Sequence, residues 1–577
     1  MKRNKTFYHI IASVCLMMGM SSCSDFLQVE PQNEIILEKF WNEKADVDGI
    51  IFGCYSAMQS DNILMRMMVW GEFRSDNISR GLNLNRDNSL ESVLKENLTA
   101  SNAYTTWDQF YDIINRCNTL IKYAPQVAEK DPSFSLSELK ADIAEVSALR
   151  DLCYFYLIRT FRDVPYTTVA FTDDNQVMDL PATSFDNVLD SLITNLESVK
   201  DEAVKAYPSG TSTQELYQTS RITQEAIHAM LCEMYLWKQD YQKCIQYADL
   251  VINAKKLQAE EKQKTSTTVS DYSKFGGYPL ISESSYGSLT TFGNAYTQIF
   301  GEGNSSESIL ELTFMPDDNM PSNGAVNLCY GFGIGGVPTM GYGAPSTYVS
   351  DVTTTANNGL NDVFMKYDSR YYENILAKTS IGKYLYTRSS IDFSSTNPNL
   401  YYGGVYSEKR NKSNWIIYRL TDIMLMKAEA EAQLISNEQD LSDQDKNYLN
   451  SAFSLVTAVN KRSICQNVLK DTLDPKKYLT KADMENLVLE ERHRELMFEG
   501  KRWYDLVRKS RRDGNTKYLS GQVLQKYTSN TSAIQDKLAK MDAIFWPYNI
   551  DELKVNKNLK QNPAFGSGES GNYDTTK

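Results

Sequence analysis

Glu491-Arg492-His493-Arg494-Glu495 is the densest run of ionisable residues that could do chemistry together. Glu491 and Glu495 stand one helical turn apart, a spacing open to an acid/base pair or part of a metal site. The helical zinc signature is His-Glu-x-x-His, however, and this run does not have it. Opposite charges crowd the stretch, including Glu490 with Arg494 and Glu499 with Arg502, with Trp503 and Leu506 behind them. It therefore reads as ion pairs along a helix face. The chain has only three histidines, His9, His228 and His493, too few for most zinc sites or Ser-His-Asp relays. His228 sits between apolar neighbours and reads as a packing residue. Gly331-Phe332-Gly333-Ile334-Gly335-Gly336 looks like a phosphate-cradling loop, but no Lys-Ser/Thr follows and neither flank forms a βαβ unit. A flexible loop near a site is expected there instead. A glycosidase needs two carboxylates roughly 5–9 Å apart, and nothing marks any two of the 73 acidic residues for that work. No catalytic residue, metal or cofactor is expected.

Apolar spacing shows what must carry these groups. Ala226, Ile227, Met230, Leu231, Met234 and Tyr235 recur at helical spacing, stop at Lys238-Gln239-Asp240, and resume with Tyr241, Cys244, Ile245, Ala248 and Ile252. A helix hairpin is predicted. Such a pair leaves an apolar face bare unless a neighbour stacks on it, which is the logic of tetratricopeptide-type arrays. Similar material runs from Trp107 to Tyr123, from Leu139 to Phe161 and then Phe185 to Val199, and from Asp422 to Leu434 and then Leu449 to Val459. The array is irregular, with no strict repeat period.

Residues 270–410 hold 17 of the 29 glycines and 15 of the 36 tyrosines. Glycine costs a helix interior about 1 kcal/mol against alanine, so long loops and short strands are predicted there. The expected fold is mainly α, with tetratricopeptide-like repeats packed against an irregular, loop-rich lobe with short strands. The helical scaffold covers about 35–255 and 415–510 and the lobe about 256–414. Residues 511–577 are expected to pack on the scaffold. Loops on a rigid frame are where binding usually sits.

With 577 residues, 42% hydrophobic and 23% charged, the chain can bury a large core. Its net charge of −13 argues against duplex nucleic acid and against electrostatic adhesion to anionic lipid. Neutral ligands fit better. Lys2, Arg3 and Lys5 precede a mostly apolar stretch from Phe7 to Met20, too short for a bilayer core of roughly 30 Å but suited to a secretory leader. The stretch ends in Met20-Ser21-Ser22-Cys23, small residues before a cysteine as at a bacterial lipoprotein cleavage site, with Met20 where leucine is more usual. On that reading residues 1–22 are removed and Cys23 becomes the acylated first residue. The alternative is an ordinary signal peptide followed by an incidental cysteine. No later window is long and apolar enough to span a membrane. Cys54, Cys117, Cys153, Cys232, Cys244, Cys329 and Cys465 lack any C-x-x-C pair and read as small buried hydrophobes.

Several separated segments resemble the SusD/RagB family of nutrient-binding outer-membrane lipoproteins. They are Cys23-Ser24-Asp25-Phe26-Leu27, Glu30-Pro31, Phe40-Trp41, Arg74-Ser75-Asp76-Asn77 and Trp107 to Asn118 in the first part of the chain. Ala148-Leu149-Arg150 through Arg159 follows, then Asp163-Val164-Pro165, where Arg162 replaces the family's usual glycine, and Arg221-Ile222-Thr223. Arg419-Leu420 leads into Ala428-Glu429-Ala430, Glu490 to Leu506 matches most closely, and the chain closes with Gln561-Asn562-Pro563.

The resemblance implies a non-catalytic protein of the outer membrane, lipid-anchored and exposed at the cell surface. It would bind a glycan, or in some relatives a peptide, and sit as a lid over its usual partner, a SusC-type TonB-dependent transporter. A surface glycoside hydrolase is a third reading, from a different class. Glycan binding calls for flat aromatic faces and for hydrogen-bonding side chains. Trp70, Asp76 and Asn77 fall in the segment that lies near the ligand site in the family, and Tyr104 follows in a turn before a helix. Tyr286, Tyr296, Tyr330 and Tyr342 join them from the glycine-rich lobe as expected ligand contacts.

Overall fold

The computed structural model describes residues 40–566 apart from 174, 209–211, 266–271, 285–290, 315–321, 335–336, 353–359, 377, 393–398, 406–411, 437–439 and 466–472. The fold is mostly helical, with short two- and three-stranded sheets. Helices Lys44–Met58, Asp108–Lys130, Leu136–Phe161, Phe185–Val199, Gln224–Lys238 and Tyr241–Thr265 pack each on the next. The stack then jumps in sequence, because Leu420–Gln433 lies against Tyr241–Thr265 and is followed by Asp443–Ser463 and Lys481–Glu495. The loop-rich stretch between 265 and 420 is thus an excursion from one continuous helical array.

Local chemistry fixes the helix ends. Ser135 and Glu138 form a reciprocal capping box at the start of Leu136–Phe161, satisfying amides that the first turn leaves without partners. Gln239 ends Gln224–Lys238 in the left-handed conformation at φ 65°, and the partner helix begins two residues later. Each helix buries a broad stripe. Leu231, Cys232, Val251, Leu425 and Val456 have no exposed surface, and full burial of one such aliphatic side chain is worth about 1.5–3 kcal/mol. All seven cysteines from Cys54 onward are buried and free.

Both ends of the excursion are tied down. Strand Ser308–Leu312 pairs antiparallel with Trp415–Arg419, and Leu420 N–H donates to the Glu307 carbonyl at 2.8 Å. Gly331–Ile334 pairs antiparallel with Val337–Met340, so the described part of the glycine run, expected as a flexible loop, is a β-strand, and Gly335 and Gly336 lie outside the described residues. Gly331 supplies a left-handed turn into that strand at φ 92°, a conformation that costs glycine nothing. The segment after 513 is laced to the scaffold. Lys526 Nζ donates to the carbonyls of Phe73 and Ser75 at 3.1 and 2.7 Å, and Trp546 N–H to that of Thr160 at 2.8 Å.

The charged run at 491–495 departs from its predicted form. All of its residues but Arg494 are buried, and their principal partners come from across the fold rather than along one exposed helix face. Glu495 accepts from Arg419 at 2.6 Å, from Arg370 at 3.1 Å and from Arg462. Glu499 is held by Arg419 and Lys383, whereas Arg502, its expected partner, pairs with Asp76. Arg494 pairs with Glu491, not Glu490. Helix, lobe and strand each contribute to this cluster. An unmatched charge at such a site would cost several kcal/mol, so the cluster fixes how the lobe sits on the frame.

Candidate functional site

Most of the aromatic and polar residues expected at the ligand site lie inside the protein. Trp70 has no exposed surface. Its ring stacks on Phe110 at 5.1 Å and meets Phe161 edge-on, and its Nε1–H donates to the Tyr104 carbonyl at 2.8 Å. Asp76 receives both arms of Arg502, at 2.9 and 2.8 Å. Burial opposes its ionisation, but the Arg502 guanidinium prevails and holds the carboxyl well below the usual range. Asn77 donates to Glu72 at 2.7 Å and bonds His493 through its carbonyl oxygen. Burial, with Arg502 nearby, pushes His493 down to about 3, so it is neutral and its Nε2–H is the donor in that bond. Burial also pushes Glu72 up to about 7.

The lobe tyrosines are mostly buried too. Tyr296 donates to the Gly382 carbonyl at 2.8 Å, and Tyr330 to that of Phe498 at 3.0 Å. Both rings are at most 3% exposed. Tyr286 and Cys23 lie outside the described residues. In this arrangement Trp70, Asp76, Asn77, Tyr296 and Tyr330 support structure and present no face to a ligand. The reason is general: a large aromatic ring, or a charge that finds its counterion, gains more from burial than from exposure.

Tyr342 is different. It is half-buried and sits where two distant segments cross. Strand Ile78–Arg80 pairs with Gly343–Pro345, and Gly81 N–H donates to the Tyr342 carbonyl at 2.8 Å. Tyr342 N–H donates in turn to the Leu328 carbonyl at 2.9 Å, at the end of helix Gly324–Tyr330. The crossing requires glycine. A Cβ on Gly81 would stand 2.3 Å from the Gly341 carbonyl oxygen, and one on Gly341 would stand 2.4 Å from the Gly331 amide nitrogen. The paired strands Gly331–Ile334 and Val337–Met340 border this crossing through the same contact.

Around Tyr342 the surface mixes apolar and polar groups. Leu82 is 67% exposed and Leu328 41%. The Arg80 side chain is 56% exposed, with only a loose contact of 3.8 Å to Glu91, and Arg86 is exposed. Asp87 caps the next helix through Leu90 N–H at 2.9 Å and accepts the Tyr104 hydroxyl at 2.6 Å. Tyr104 thus lies beneath the face and braces it. Burial, then the Asp87 carboxylate, raises the Tyr342 hydroxyl above its ordinary value, so it is protonated at neutral pH and can donate.

An aromatic ring, two leucines, two guanidinium groups and a carboxylate meet at this surface. They include no activated nucleophile, and among the described residues no group of three or more His, Cys, Asp or Glu could hold a metal ion. Arg80, Leu82, Arg86 and Asp87 were not singled out from the sequence. The available signal was a glycine followed by alternating polar residues, Gly81-Leu82-Asn83-Leu84-Asn85-Arg86-Asp87, directly after the Asp76-Asn77 motif.

Comparisons with known proteins agree with this fold. A model of the SusD family matches residues 350–565. SusD-like protein P38 of Formosa agariphila is 26% identical over 97% of this chain and all of its own length, and SusD-like protein P2 of the same organism is 22% identical over 86% and 90%. Among solved structures, a SusD superfamily protein from Bacteroides fragilis superposes with a TM-score of 0.62 at 16% identity, covering 91% of this chain and all of that one. A laminarin-binding SusD-like protein superposes with a TM-score of 0.60 at 17% identity, again over 91% and all of its length.

Proposed function

We propose that the chain is a member of the SusD/RagB family, to which its similarities point, and that it is a surface lipoprotein that captures a nutrient glycan, an oligosaccharide or polysaccharide, without cleaving it. The Tyr342 face is the capture site. It passes its ligand to a SusC-type TonB-dependent transporter in the outer membrane. The observation that carries this reading is the face itself: a half-buried tyrosine beside two exposed leucines, with Arg80, Arg86 and Asp87 around it. A ring of this kind stacks on the apolar C–H face of a sugar, while guanidinium and carboxylate groups bond its hydroxyls. The braced crossing of Gly81 and Gly341 pre-orders the surface, which lowers the entropy lost on binding. A structural neighbour that binds laminarin, a glycan, adds support.

Anchoring is assigned to acyl chains on Cys23. Each buried methylene contributes about 0.8 kcal/mol of membrane affinity, and no described helix is long and apolar enough to cross a membrane. Isothermal titration of the mature protein against a panel of oligosaccharides and oligopeptides tests the reading. Saturable binding of a glycan, with no new reducing ends after long incubation, is expected. Binding of peptides alone would replace the ligand class, and release of reducing ends would replace capture with hydrolysis.

A further inference from the structure

A second concavity, of about 110 Å³, opens between helix Thr531–Leu538 and the turn Pro563–Phe565, and none of its lining residues belongs to the Tyr342 face. Its lining includes the Arg74–Glu96 pair, both nearly inaccessible. Leu98 and the half-buried ring of Phe565 supply apolar wall, and the exposed Lys537 and Lys540 complete it.

Counting hydrogen-bonding groups decides what such a space attracts. The Glu96 carboxylate is already taken by Arg74, through Nε at 3.1 Å and Nη2 at 2.7 Å. Lys537 Nζ donates to the Glu96 carbonyl at 3.0 Å and to Asn97 Oδ1 at 3.4 Å. An ammonium group has three donors, so one is left. Among the described residues the Lys540 side chain has no hydrogen bond and no ion pair. Two ammonium groups without a carboxylate partner therefore flank a space whose one carboxylate is neutralised, in a chain of net charge −13. A cation gains nothing here and an anion gains two charge-assisted contacts. A water molecule needs roughly 10–15 Å³ of such space, so the concavity accepts one ring-sized group and not a chain.

We propose that this concavity binds a single acidic sugar unit, a uronate, with its carboxylate between Lys537 and Lys540 and its C–H face against Phe565. The anion preference stands on the charges alone. That the anion is a sugar rests on the glycan reading above.

The test is titration at low ionic strength with sodium glucuronate, glucose and sodium sulfate, on the wild type and on Lys540→Glu and Lys537→Gln. Saturable glucuronate binding is expected, with glucose silent and sulfate weaker. Affinity should fall about tenfold or more in Lys540→Glu, with an unchanged thermal midpoint because Lys540 is exposed, and less in Lys537→Gln. The proposal is overturned if glucuronate fails to bind by ~10 mM, if it binds Lys540→Glu as well as wild type, or if sulfate binds as tightly as glucuronate. A parallel titration of each variant with the neutral glycan bound at the Tyr342 face separates failure here from failure of the capture reading. That binding should be untouched by either lysine change.

Discussion

The cluster around Glu495 and the face around Tyr342 use the same kinds of side chain to opposite ends. Around Glu495 the charges are many, buried and matched: Arg370, Arg419 and Arg462 converge on one carboxylate, and Lys383 joins Arg419 on Glu499. Around Tyr342 they are few and exposed, and Arg80 has only a contact of 3.8 Å to Glu91. A buried charge whose partners are all supplied is committed to holding the fold. An exposed guanidinium beside a half-free ring keeps its hydrogen-bonding capacity for something that arrives from outside. In this molecule the dense charge motif, which looks the more reactive, is structure, and the sparse surface is the one proposed above to bind.

Breaking the first region should give the largest effect. Glu495→Ala leaves three buried guanidinium groups short of their acceptor, and a loss of about 3–5 kcal/mol of unfolding free energy is expected. Urea denaturation measures it, and a loss under about 1 kcal/mol would mean that the cluster does not bolt the lobe to the frame.

Acid should act on the same region through His493. Its pKa is depressed to about 3 in the folded protein, against roughly 6.5 in the unfolded chain. The unfolded state therefore takes up a proton first as the pH drops. The stability that neutral His493 contributes is complete above about 6.5 and is lost progressively as the pH falls toward 3. Between pH 7 and 4.5 this amounts to about 2–3 kcal/mol, so His493→Gln should show a shallower decline over that range than the wild type. Equal slopes would contradict the assignment.

The second region should respond differently. Gly81→Ala drives a Cβ into the Gly341 carbonyl, and about 1–3 kcal/mol of stability is expected to be lost, with ligand affinity falling alongside it because the crossing carries Tyr342. Arg80→Ala should cost only a few tenths of a kcal/mol in stability and weaken glycan binding several-fold. A large stability loss with unchanged affinity would place Arg80 with the structural charges.

The sequence made the helical frame readable because apolar periodicity is a local signal. The stop at Lys238-Gln239-Asp240 and the segment Phe185–Val199 both reappear as helix boundaries. The partners of the charged run were not readable. Arg370 and Arg419 stand 121 and 80 residues from Glu491 and Glu499, and no local pattern encodes which distant guanidinium a buried carboxylate will meet. Burial of the aromatic residues was equally hidden. Trp70 and Tyr330 have the same composition cues as Tyr342, and only the crossing at Gly81 and Gly341 decides which ring keeps an open side. The glycine run was read as a loop because glycine weakens any local preference, whereas backbone pairing with Val337–Met340 makes Gly331–Ile334 a strand.

The most direct test pairs two readouts on Tyr342→Ala: affinity for whichever oligosaccharide the wild type binds, by isothermal titration, and unfolding free energy in urea. The account predicts that affinity falls at least about tenfold, equivalent to ~1.4 kcal/mol, while stability changes by no more than about 1 kcal/mol. Undiminished affinity in a well-folded Tyr342→Ala protein would contradict the claim that this face captures the glycan.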